Sequence, residues 1–168
     1  SARRLPDPLP CTPPPRTQQR VQQNGRMSEA SAPARPRHPA ITAAITIGGF
    51  AALLWLIEII DTITGSALQR GGVQPRELDG LVGILWAPVL HDDWGHLIAN
   101  TGPLLVLGFV ILLSGVRTWL GATAIIWVIG GFGTWLTGGP NTVHIGASVL
   151  VFGWVTFLIL RGVFARNW

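Results

Sequence analysis

From residue 118 to residue 160 the chain carries no Asp, Glu, Lys or Arg. At 1.5 Å per residue, a helix of that length would be about twice as long as the hydrocarbon core of a bilayer is thick. The stretch is therefore read as two membrane spans. The turn sequence GGPN at residues 138–141 divides them, because Gly, Pro and Asn favour a reversal over a helix. Two further runs meet the criterion of ~20 apolar residues. One is AITAAITIGGFAALLWLIEII at 40–60, and the other begins WGHLIAN at 94 and continues to about 114. The expected fold is an all-α, polytopic membrane helix bundle with helices at about 40–60, 94–114, 118–136 and 145–160. Composition agrees: 48% of residues are apolar and 12% are charged, the latter about half the usual globular share.

The net charge of +4 raises nucleic acid as a partner, but the distribution argues against it. Seven of the twelve basic residues, all Arg, lie within the first 37 residues, ahead of the first apolar run. With the N-terminus inside, Arg117, Arg161 and Arg166 also fall inside, leaving only Arg70 and Arg76 outside. That asymmetry is a topology signal: N-terminus cytoplasmic, loop 61–93 and the GGPN turn outside. Residues 1–39, rich in Pro, Arg and Gln, lack the apolar periodicity of a core and read as a disordered cytoplasmic tail. Met27 is the only Met, which opens the reading that residues 1–26 are upstream translation. The single Cys11 excludes an intrachain disulfide and a Cys-based metal site.

Two polar constellations interrupt the apolar runs. HDDWGHLIAN (91–100) opens the second span, and HIGASVLVFGW (144–154) opens the fourth. In this topology both spans enter from outside. His96, Asn100 and Ser148 thus share one depth, within roughly 10 Å of the outer surface. His96 and Asn100, four residues apart, share one helix face. A Gly-x-Ser at a helix start sets a hydroxyl beside backbone N–H groups with no helical acceptor. Such donors, joined by an imidazole and a carboxamide, can stabilise the oxyanion of acyl transfer.

On these residues the chain resembles the rhomboid intramembrane serine proteases. His91, His96 and Asn100 match the family's His-x4-His-x3-Asn on the second helix, and Gly146, Ala147 and Ser148 match its Gly-x-Ser on the fourth. The run PRELDGLVGILWAPVLHDDWGHLIANTGPLLVLG is similar to bacterial members throughout. The resemblance covers about residues 41–161. It implies Ser148 as nucleophile, with His96, Asn100 and the Ser148 N–H as the oxyanion hole. It also implies Phe152 as the aromatic that packs on the catalytic His, and loop 61–93 as a membrane-embedded loop. The implied activity is an endopeptidase cutting peptide bonds in or near the transmembrane segments of substrate proteins. It would sit in the bacterial plasma membrane with its site near the outer face, and neither cofactor nor metal is implied.

The sequence departs from the family pattern twice. Val149 stands where the family has Gly, adding bulk beside the nucleophile. The family's general base is a His on a sixth helix, which residues 1–168 do not contain. The chain is thus expected to be an N-terminal fragment: an incomplete rhomboid domain over 40–168 with four of six core helices, inactive as it stands and slow to accumulate. The alternative is a non-catalytic rhomboid-like protein that binds transmembrane segments. His144, on a helical extension four residues before Ser148, is the substitute base to weigh. His91 and Trp94 also read as interfacial anchors, as do Glu58 and Asp61. Gly130 to Gly133 read as close-packing glycines, and Pro103 as a kink below Asn100. His91 and His96 are i,i+5 and do not converge on a metal.

Overall fold

The computed structural model describes residues 38–165. The expected tail at 1–39 lies almost wholly outside the described residues. Four long helices make up the fold: α1 (Pro39–Ile63), α2 (Trp94–Leu112), α3 (Val116–Thr137) and α4 (Ser148–Ala165). Each is long and apolar enough to cross a membrane. Among the described residues there is no strand, only an isolated antiparallel bridge between Val73 and His144.

α1 starts at Pro39, whose missing N–H costs nothing in a first helical turn. Its buried residues Ala43, Ile47, Ala51, Leu54, Glu58 and Asp61 recur at three- and four-residue steps, one stripe of the helix. That stripe lies on α2, while α4 packs on both α2 and α3. The centre is built from Leu97, Leu104, Ile111, Trp119, Leu150 and Trp154. Two indoles tie the helices with hydrogen bonds that an apolar surround makes costly to lose. Trp55 Nε1 donates to Thr101 Oγ1 (3.1 Å), and Trp154 Nε1 donates to Thr123 Oγ1 (3.1 Å). Most of each span points outward, as expected where the surrounding solvent is itself hydrocarbon.

Loop 64–93 has regular structure of its own. It folds into the 3₁₀ turns Leu68–Gly71, Asp79–Leu81 and Ala87–Val89 around the single helical turn Gly83–Trp86. α3 straps it down. Trp127 Nε1 donates to Ile84 O (2.7 Å), Trp135 Nε1 to Glu77 O (2.8 Å), and Arg76 N to Trp135 O (3.1 Å).

The last helix begins at Ser148, three residues later than the pattern predicts, and runs to Ala165 rather than about 160. Its start is displaced because Gly146 has φ +119, a conformation closed to a helix, and donates its N–H to Ala87 O (2.8 Å). Glu58 and Asp61, near the end of α1, are buried in the described bundle. Asp61 Oδ1 accepts Leu68 N–H (2.7 Å), closing the turn after α1. Pro103 sits inside α2, which continues as helix on both sides of it.

Candidate active site

The start of α2 is set by Asp93, whose carboxylate accepts the His96 N–H (2.8 Å) as an N-cap. This places His96 in the first turn, with Asn100 one turn deeper. Asn100 is 7% exposed, and its Nδ2 has no hydrogen-bond partner. A buried amide donor left unpaired is costly and stands available to an incoming acceptor.

His91 precedes the helix and is 1% exposed, so the reading of it as an interfacial anchor does not hold. Its Nε2 accepts the Ala147 N–H (3.3 Å), linking the chain before α2 to the residue before Ser148. Burial foremost, and then the neighbouring His96, push His91 down to about 4, so it is a neutral acceptor at physiological pH. The two rings meet edge to face with centroids 5.2 Å apart.

The His96 ring fills the space that Gly146 leaves. A Cβ at Gly146 would lie 2.5 Å from His96 Cε1 and 2.7 Å from Nε2. Gly146 is therefore required twice, by its positive φ and by the imidazole against it. On the far side of the ring, Nδ1 makes a short hydrogen bond with Asp92 Oδ1. Burial works to raise the Asp92 carboxyl, but the His96 bond and backbone N–H groups outweigh it and hold the group below the ordinary range.

Ser148 is the first residue of α4, where the leading N–H groups have no helical acceptor. A cavity of about 120 Å³ opens beside it, lined among others by Val149, Gly131, Thr134, Pro88 and His144. The structure thus gathers His91, His96, Gly146 and Ala147 directly and sets Ser148 next to them. The hydrogen bonds that organise this region run through His91, His96 and Asp92.

Phe152 is 72% exposed on the outside of the described bundle; the histidine that the resemblance gives it is the general base of a sixth helix, not a residue of 1–168. One expectation changes. His144 is not on a helical extension of α4. Its backbone pairs with Val73, and its Nε2 meets Thr142 Oγ1 (2.9 Å), although it shares the Ser148 cavity. Val149 lines the cavity beside Ser148 and turns one methyl to Gly130 of α3, where an added Cβ would come within 2.4 Å of Val149 Cγ2. One turn along, the sizes reverse, and Ile126 of α3 sits over Gly153 of α4. Gly131 makes room for Ile84 of the loop, while Gly133 has nothing near it. Gly130 packs closely, as the sequence suggested, whereas the contact of Asp92 with His96 is what sequence reasoning passed over. The i,i+4 spacing of Asp92 and His96 was the available signal for it.

A family model described as the Rhomboid domain matches residues 79–168. Uncharacterized proteins of Mycobacterium bovis and Mycobacterium tuberculosis are each 46% identical over 166 residues, covering 90% of this chain and 69% of theirs. An uncharacterized protein of Mycobacterium leprae is 49% identical over 129 residues, 73% of this chain and 51% of its own. No solved structure matches the chain.

Proposed function

The chain belongs to the rhomboid family, and from that premise we propose that it acts as an intramembrane serine endopeptidase on the transmembrane segments of other membrane proteins. Rhomboids are typically intramembrane serine proteases, and the four apolar spans make this a multi-pass membrane protein. In the proposed mechanism the Ser148 Oγ attacks the scissile carbonyl. The oxyanion that forms is held by the Ser148 N–H, His96 Nε2 and the Asn100 amide, donors fixed in place before reaction. The general base implied by the resemblance belongs to a further helix outside residues 1–168. With the N-terminus in the cytoplasm of a bacterial cell, the site opens toward the outer face of the plasma membrane, from which water reaches it.

The observation that supports this reading most directly is the seating of the His96 imidazole against Gly146, two residues ahead of Ser148. It brings the polar start of α2 to the polar start of α4, an arrangement that lipid solubility alone does not call for. The unpartnered Asn100 Nδ2, on the same helix face as His96, adds a second donor.

A fluorophosphonate probe tests the proposal, applied in membranes to the chain joined to its native downstream sequence. Labelling at Ser148 is expected, lost in Ser148→Ala. Cleavage of a membrane-anchored reporter should fall about 10²–10³-fold in His96→Ala or Asn100→Ala. Labelling that survives Ser148→Ala, or cleavage indifferent to both donors, refutes it. His144→Ala in the same assay decides whether that residue serves as base: unchanged labelling removes it from consideration. A folded protein that binds transmembrane peptides but never labels would be the non-catalytic alternative.

A further inference from the structure

Asp92 is absent from the motif that drew attention to this region, yet its carboxylate holds the one His96 nitrogen that faces away from Gly146. An ionised carboxylate only accepts hydrogen bonds, so the short contact requires the proton to be on Nδ1. In a neutral imidazole the other nitrogen is then a bare lone pair. Nε2, the nitrogen at Gly146, could accept from an O–H but could not donate to an oxyanion. It becomes a donor only when the ring carries its second proton.

We propose that Asp92 is a positioning residue that assigns the protons of His96, so that the ring serves the oxyanion site as an imidazolium rather than as a neutral donor. The inference rests on the protease reading for the purpose of the donor, but not for the proton assignment itself. Asp92 and Glu58 of α1 are the acidic side chains coupled to the ring, whereas the edge-on His91 is neutral and brings no competing positive charge. Asp93 cannot replace Asp92, because its carboxylate is committed to the His96 N–H. Across the outer polar cleft, Asp92 shares its surroundings with Arg70 and His144, the cationic and titratable groups on that side. An imidazolium donor to an oxyanion is a charge-assisted bond, stronger than a neutral one. It also ties the donor to the ionisation of one carboxylate just ahead of the helix.

The test is ¹⁵N NMR of the histidine-labelled chain in detergent micelles at about pH 7, with the His96 signals identified by their loss in His96→Ala. In the native chain both ring nitrogens of His96 should read as N–H. In Asp92→Asn the imidazolium share should fall about threefold or more, the size expected for losing one partly exposed ion pair. The bare nitrogen should be Nδ1, since the Asn amide can now donate to it. Asp92→Glu should restore the native pattern. A native His96 that is neutral with a bare Nε2 overturns the proposal. So does an Asp92→Asn ring that keeps its imidazolium share while circular dichroism reports native helix content. Should Asp92→Asn not fold, the native spectrum and Asp92→Glu still decide. Loss of Ser148 reactivity with the NMR pattern intact would instead remove the protease reading and leave the proton assignment standing.

Discussion

Gly130→Ala is the substitution whose outcome the structure specifies most sharply. The added methyl would lie 2.4 Å from Val149 Cγ2, closer than carbon atoms pack, yet 3.9 Å from Val149 Cβ, an ordinary contact. The clash is therefore with the branch of the valine and not with the α4 backbone. A long, flexible neighbour would swing aside, but Val has one strongly preferred rotamer in a helix. The helices must instead separate, or the valine leave its rotamer, at an overpacking cost of about 1–3 kcal/mol. Val149→Ala alone should also destabilise, by about 1 kcal/mol or more, through lost van der Waals contact at the α3–α4 seam. The double variant Gly130→Ala with Val149→Ala should be more stable than Gly130→Ala alone, because its methyl now meets only Cβ. Equilibrium unfolding in detergent read by circular dichroism gives the cycle, and the coupling should exceed the ~0.5 kcal/mol that marks independent sites. Gly133→Ala, with nothing within 4 Å, is the control and should lie within about 0.5 kcal/mol of neutral or be slightly stabilising. An additive cycle, or a Gly130→Ala no worse than Gly133→Ala, would refute the size-matched packing of Val149 on Gly130.

Three other outcomes follow from the same coordinates. His91 is held at about 4, below its ordinary 6.5, so its neutral form contributes stability present in full above pH 6.5 and lost as the pH falls toward 4. Thermal unfolding between about pH 7.5 and about pH 4.5 should show a drop in Tm that is smaller in His91→Gln, and equal drops would contradict the role given to His91. Gly146→Ala meets both an unfavourable φ and the His96 ring, at ~1–2 kcal/mol and ~1–3 kcal/mol, so it should cost more than Gly130→Ala in the same melt. Trp127→Phe and Trp135→Phe each remove one indole bond to the loop, about 1 kcal/mol apiece, and should quicken protease nicking within residues 64–93 while leaving the helical spans uncut. Unchanged nicking would mean that other contacts hold the loop.

Much of this molecule could be read before its structure was known. The charge-free stretch at 118–160, the GGPN turn and two further apolar runs were enough for an all-helical bundle with four spans, because the solubility of a span in lipid depends on its own residues. The polar residues His96, Asn100 and Ser148 were conspicuous for the same reason: each is an expensive group in an apolar setting. Register and orientation were less accessible. The helix that carries Ser148 starts later than the hydropathy suggests, because a backbone conformation at Gly146 and a hydrogen bond to Ala87 end the preceding loop.

The faces of the helices belong to the tertiary structure alone. In a water-soluble bundle a buried side announces itself as an apolar stripe, but here lipid and protein interior are equally apolar, and both sides of a helix read alike. That Phe152 faces outward from the described bundle, and that Val149 turns a methyl to Gly130, are thus features hydropathy does not announce. The same holds for polar pairs. The sequence by itself determined that imidazoles, carboxylates and a hydroxyl lie at the starts of two spans. Only the packing of α2 on α4 decided that His91 turns inward to Ala147 and that His96 lies against Gly146. Hydropathy is a property of a segment, whereas a contact is a property of two segments and the angle between them.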